Sequence, residues 1–273
     1  MRAKITKITL IALGALFIAV MLAAPLATVL VYALRQGWVL FGKAIIDPYA
    51  VKALRLTLYT TVIAVLLNTA FGLFSSWAIT KFSFRGKNFL TTLIDIPFAI
   101  SPVIAGLVFI LVFGRIGWAY GFTQSLGFKV VFAVPGIVLA TIFVTFPFVS
   151  RELIPLMTAQ GRDEEEAAAL MGARGLRIYR KITLPHIKWG LLYGVILCTA
   201  RALGEFGAVS VVSGHLRGKT NTLPLHIEIL FNEFHLTAAF AVSSILVVLA
   251  ILILILKNIV EYKGKKAESE DVR

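Results

Sequence analysis

Ile8 to Leu34 is an uninterrupted apolar run without a single charge. As a helix it is long enough to cross a hydrocarbon core of about 30 Å with tilt to spare. Five further runs follow at about 54–80, 89–113, 131–149, 189–212 and 237–256, so six candidate spans account for most of the chain. With 59% hydrophobic and 15% charged residues and a mean hydropathy of +0.89, the chain has too little polar surface to cover a soluble core of its length. The alternative for the first run, a signal segment cleaved near Ala23 and Ala24, draws on the basic start Arg2, Lys4 and Lys7. The apolar run continues well past that site. The expected fold is therefore all-α, a polytopic membrane protein with six transmembrane helices forming one domain over residues 1–273.

The 27 Lys and Arg against 14 Asp and Glu would suggest nucleic acid in a soluble protein. Here the basic residues sit between the apolar runs, where they set orientation, and no nucleic-acid role is read from them. Placing the N-terminus inside puts 18 basic residues on that side and 8 in the outer connections, with Arg201 left within a span. The positive-inside rule then predicts both termini in the cytoplasm. Cys198 is the only cysteine and lies in an apolar run, so it supports neither an intrachain disulfide nor a cysteine zinc cluster. His186, His215, His226 and His235 lack metal-site spacing, and no metal is expected.

Prolines interrupt two of the spans: Pro97 and Pro102 in the third, Pro135 and Pro147 in the fourth. Each removes a backbone donor and favours a kink, which at membrane depth is tolerated beside protein or a water-filled cavity. Asp95 in the third span is expected to reach water at the cytoplasmic end. Arg201 and Glu205 stand four apart in the fifth span and are expected to share a helix face. Burying either alone costs about 3 kcal/mol. The pair reads either as a packing device or as a cation beside an anion's route.

The connection over 151–188 is long and differs from the others. Asp163 is expected to cap a helix with Glu166 three residues on, an acidic first turn suits the helix dipole, and alanines follow. Gly172 offers a turn that tolerates positive φ, and Arg174, Arg177, Arg180 and Lys181 lie on a second segment that Pro185 is expected to end. Such a hairpin suits insertion into a soluble partner, or else a position on the membrane surface against anionic lipid.

Glu166-Ala167-Ala168, then Gly172, then Ile182, Leu184 and Pro185 resemble, position for position, the EAA signature of importer-type ABC transporter permeases. That resemblance implies a permease of the same (MetI-like) fold, with Glu166 to Pro185 as the coupling loop that docks on an ATP-binding subunit. Arg201 to Gly214, Gly218 to Leu225 and Leu93 to Val103 are similar to the sulfate and thiosulfate group of that family. The Arg201-Ala202-Leu203-Gly204-Glu205-Phe206-Gly207 core also occurs in molybdate permeases, so sulfate and molybdate or tungstate both stay open. The resemblance further implies two ATP-binding cassette subunits, a second homologous permease chain, a separate extracytoplasmic binding protein and a bacterial inner-membrane location. A Gly-x-x-x-x-Gly-Lys-Ser/Thr phosphate loop is missing, so ATP is expected to be used by the partner and no cofactor by this chain. A dianion's route should offer backbone N–H groups, Arg201, and the hydroxyls of Ser210, Ser213 and Thr220. The rival classes are a passive anion channel or secondary transporter, which would need no ATP, and a membrane-bound enzyme, for which no catalytic constellation is visible.

Overall fold

The computed structural model describes residues 2–271, and no strand occurs among them. Helix α1 (Arg2–Ile18) passes through a π-helical turn, Ala19–Ala23, into α2 (Ala24–Leu34). After α3 (Trp38–Ile46) comes α4 (Pro48–Lys81), then the pair α5 (Lys87–Ala99) and α6 (Pro102–Phe113) and the short α7 (Tyr120–Ser125). α8 (Val134–Thr145) and α9 (Pro147–Gln160) follow end to end, then α10 (Asp163–Leu170) and α11 (Gly175–Ile178). A second π-helical turn, Tyr179–Thr183, leads into α12 (Leu184–Leu203), and α13 (Gly207–Ser213), α14 (Leu223–Asn232) and α15 (Leu236–Asp271) complete the chain.

Five stretches are long and apolar enough to cross a membrane: Thr6–Leu34, Pro48–Lys81, Val134–Gln160, Gly175–Leu203 and Leu236–Lys266. The pair α5 and α6 makes a sixth only as a broken element, bent by 109°. The break has a local cause. Ile100 and Ser101 take extended backbone, as the residue before a proline prefers, and Pro102 then opens the new helix.

α4 shows why the helices sit close together. Asp47 caps it, its Oδ1 accepting from the amides of Tyr49 and Ala50 at 2.8 and 3.2 Å, and Pro48 stands at the first turn. Its buried face is a stripe of small side chains at helical spacing, among them Ala53, Thr57, Ala64, Asn68, Gly72 and Ser75. Small residues let membrane helices approach, since lipid offers no hydrophobic force between them. At Gly72 the approach is so close that a Cβ would stand 2.5 Å from Val149 Cγ1 of α9. Ser75 and Ser150 hydroxyls meet at 3.0 Å across the same contact. Asn68 Nδ2 donates to Thr145 Oγ1 of α8 at 2.8 Å, and Cys198 of α12, fully buried, donates to the Thr145 carbonyl at 3.6 Å. Val149, Leu153, Met157 and Ile187 form the apolar core beside this seam.

Side chains from Ile8 to Leu26 are exposed along α1 and into α2, as for a helix whose solvent is hydrocarbon. α2 packs on α15, with the Tyr32 and Phe240 rings 5.2 Å apart.

Three helix ends differ from the sequence expectation. The fourth apolar stretch runs on to Gln160 rather than stopping near 149, so Arg151 stands inside a helix and not in the loop. The second limb of the hairpin does not end at Pro185. The π-helical turn, closed by Leu184 N–H on Tyr179 O, makes room for the proline and carries the helix on into α12. The fifth stretch stops at Leu203, because Gly204 to Phe206 leave the helix before α13 begins. Arg201 and Glu205 therefore do not share one helix face; they meet across that break.

Candidate functional site: a stapled hairpin and an arginine at a helix break

The hairpin runs from Gly161, at φ +72°, through α10, a turn at Gly172 and α11 to Thr183. α10 begins after Arg162, which offers no side-chain cap, so Asp163 is the first helical residue and not the expected cap. Asp163, Glu164, Glu165 and Glu166 fill the first turn, where negative charge is favoured by the dipole. Gly172 has φ +86°. Its amide bonds to the Ala169 carbonyl at 2.9 Å and that of Ala173 to the Ala168 carbonyl at 3.0 Å, the paired bonds of a Schellman ending. A side chain here would meet nothing within 4 Å, so the requirement for glycine is one of backbone conformation.

What fixes the hairpin was not read from the sequence. Lys81, the last residue of α4, has its Nζ 3.0 Å from Glu165 Oε1 and donates to the Gly161 carbonyl at 2.5 Å. The same Glu165 oxygen accepts from Thr183 Oγ1 at 2.6 Å, and Thr183 is fully buried. Arg162 Nη2 donates to the Thr80 carbonyl at 3.3 Å. On the other limb Gln160 Nε2 and His186 Nδ1 are 2.7 Å apart, and His186 lies 3.4 Å from Glu164. Neighbouring acidic residues of α10 are thus tied to different helices, Glu165 to α4 and the π turn, Glu164 to the start of α12.

Of the motif residues, Ala168 is buried, Ile182 and Leu184 are half-buried on the return limb, and Glu166, Ala167 and Pro185 are exposed. Leu170, Met171 and Leu176, flanking the Gly172 turn, are 90, 83 and 71% exposed. Three bared apolar side chains at the tip of an otherwise polar hairpin mark a surface made to be covered. The signal was present in the sequence, as Leu170 and Met171 ending an acidic, alanine-rich helix.

At the other candidate site, Arg201 Nη1 lies 2.5 Å from Glu205 Oε2. Glu205 is almost wholly buried, and its Oε1 accepts the amide of Ala208 at 2.9 Å, so one carboxylate both pairs the arginine and holds the start of α13. Arg201 keeps about a third of its side chain exposed, at 32%. Ser210 donates to the Gly207 carbonyl at 2.9 Å. Ser213 and Thr220 are buried, their hydroxyls accepting the amides of His215 at 3.2 Å and Leu216 at 3.1 Å. The structure thus gives each hydroxyl a local partner and brings only Glu205 to Arg201.

A body of several helices long and apolar enough to cross a membrane, a helix pair bent by 109° and a hairpin with an apolar tip suit the membrane subunit of a transporter. The fold is that of ABC importer permeases: it matches a chain of a bacterial transporter for the acidic polysaccharide alginate with a TM-score of 0.78, at 14% identity over 97% of this chain and 96% of that one. A chain of the MetNI methionine ABC transporter matches at 0.54, with 17% identity over 78% and 93%. Residues 68–265 match the model of the binding-protein-dependent transport system inner membrane component, and the chain belongs to that family. It is 44% identical to the sulfate transport system permease protein CysW of Escherichia coli K12 over 96% of this chain and 91% of that protein. Identity to CysW of Synechococcus elongatus is 46%, over 94% and 90%. The permease CysT of Salmonella typhimurium is 34% identical, over 88% and 86%.

Proposed function

We propose that this chain is one of two different membrane subunits of an ATP-driven importer of sulfate and thiosulfate. The observation that carries the reading is the 44–46% identity, along nearly the whole chain, to permeases named for sulfate. The second membrane subunit is a homologue of the CysT kind. Two ATP-binding cassette subunits hydrolyse the nucleotide, an extracytoplasmic sulfate-binding protein delivers the anion, and this chain itself uses no cofactor. Both termini and the hairpin face the cytoplasm of a bacterial inner membrane, in keeping with the basic residues on that side.

In this mechanism Leu170, Met171 and Leu176 enter a groove of the ATPase subunit. Glu166, Ala167 and Ala168 form the docking helix, Gly172 its turn, and Ile182, Leu184 and Pro185 the limb that returns force to α12. Closure of the ATPase pair moves the hairpin, and the ties at Glu164 and Glu165 pass that motion to α12 and α4, so that a central route opens first to one side and then to the other. Along the route Arg201 offers positive charge, with Ser210 on the helix that Glu205 starts. Ser213 and Thr220 shape the turn beyond it.

Reconstituting the complete importer in vesicles tests this. The expected result is sulfate uptake that requires ATP and is inhibited by thiosulfate. Uptake without nucleotide would make the chain a channel or secondary transporter. Uptake of molybdate in preference to sulfate, by a complex holding two identical permease chains, would replace the substrate.

A further inference from the structure

Arg151 stands in α9, nine residues before its end at Gln160, and Asp95 in α5, eight residues after its start at Lys87. At about 1.5 Å per residue both lie roughly 12–14 Å from the hairpin end of their helices. Arg151 Nε is 3.4 Å from Asp95 Oδ1, and the guanidinium lies 4.7 Å from the centroid of the Phe98 ring. The two side chains nevertheless stay 56 and 46% exposed on the surface of the chain. Hydrocarbon does not accept two half-exposed charges, so this face looks onto water or protein.

The second arginine pair belongs to the same corner of the fold. The bend at Ile100 and Ser101 follows Phe98 within three residues, and beyond it Pro102 touches Gly207, where a Cβ would stand 2.9 Å from the proline Cβ. Gly207 opens α13, whose Ala208 amide is held by Glu205, the partner of Arg201. The broken helix therefore has Arg151 on one side of its bend and Arg201 near the other, each neutralised by a carboxylate.

We propose that Arg151 is an anion-binding residue of the translocation route on the hairpin side of the bend, and that a passing oxyanion takes the place of Asp95 as its partner. This rests on reading the chain as an oxyanion permease. A planar guanidinium presents paired N–H donors that match two oxygens of a tetrahedral dianion. The Phe98 face holds the cation in place while it changes partner. Asp95, remaining close by, keeps the anion's hold weak, which a route needs if the anion is to leave.

The test is ATP-driven uptake of labelled sulfate by vesicles holding the complete importer and its binding protein. Arg151→Gln should lower uptake at least tenfold while the ATPase subunits still co-purify. Asp95→Asn leaves Arg151 without its competitor, so internal sulfate should inhibit uptake at concentrations at least threefold lower than for the wild type. A pair that serves packing alone tolerates losing both charges. Uptake within twofold of wild type in Asp95→Asn with Arg151→Gln would therefore overturn the proposal, as would an unchanged inhibition in Asp95→Asn. A wild type that carries molybdate but not sulfate would overturn the substrate assignment alone, and the same variants would then be compared with molybdate.

Discussion

Two ion pairs of this chain, Lys81 with Glu165 and Arg151 with Asp95, join neighbouring elements near the hairpin end, yet their surroundings differ. The first is 5 and 13% exposed, and both partners have further hydrogen bonds, to the Gly161 carbonyl and the Thr183 hydroxyl. The second is half-exposed and rests on an aromatic face. A shielded pair whose two partners each make a further hydrogen bond is a joint, built to keep its geometry. A half-exposed pair leaves room for another charged species. The two pairs use the same chemistry under different burial.

Breaking the joint gives the largest expected effect. Lys81→Met leaves the Glu165 carboxylate without its counter-charge in a shielded place, which costs about 3 kcal/mol or more. The hairpin should detach: recovery of the ATPase subunit with the purified permease should fall sharply, and proteolysis within 161–183 should accelerate. Arg151→Gln should leave the melting temperature in detergent nearly unchanged, since exposed pairs contribute about 1 kcal/mol at most. Equal losses of stability from the two variants would erase the distinction.

Gly172→Val tests the hairpin without touching the joint. At φ +86° a β-branched residue is strained by about 1–2 kcal/mol, while its Cβ would meet nothing within 4 Å. The membrane level should stay normal while ATPase recovery or the uptake obtained per ATP falls. Unchanged values for both would remove the coupling role from Glu166 through Pro185.

Arg201 and Glu205 lie between the two extremes, one partner buried and the other a third exposed. Because Glu205 also holds the Ala208 amide, Arg201→Met with Glu205→Leu is not neutral and should cost about 1 kcal/mol for the lost cap. Uptake should be abolished although the protein still assembles. Normal uptake by the double variant would end Arg201's part in the route.

The apolar runs and the hairpin were legible from the sequence for physical reasons. Lipid demands long apolar helices, and a Schellman turn demands a residue that takes positive φ, so Gly172 declared itself. The break after Leu203 was not legible, because Ala200, Ala202 and Leu203 before it and Ala208, Val209, Val211 and Val212 after it keep the run apolar on both sides, and hydropathy does not register a turn. Arg151 was hidden by the opposite error: a charge at the edge of an apolar run reads as loop, and its partner Asp95 is distant in sequence. Lys81, Glu165 and Thr183 are brought together only by the fold. Each has an ordinary place in the sequence, at a helix end, in an acidic turn and inside a basic segment.

The end of the bundle away from the hairpin sharpens the comparison with the smallest effect. There Arg217 pairs with Glu233 in the open, and the arginine's hydrogen bond holds the Glu233 carboxyl below the usual range. His226, on α14 beside them, is 4% exposed, and burial pushes its imidazole pKa down, against the pull of Asp47. Above the ordinary imidazole value of about 6.5 the ring is neutral in both the folded and the unfolded chain, and its burial carries no charge penalty. As the pH falls below that value the unfolded chain takes up a proton that the folded chain resists, so stability is lost progressively down to the lowered folded pKa. The melting temperature in detergent should therefore fall from pH 6.5 towards pH 5 by more in the wild type than in His226→Gln. The difference between the two isolates this residue from the other histidines, which both proteins share. Parallel curves would show that burial at His226 carries no proton linkage.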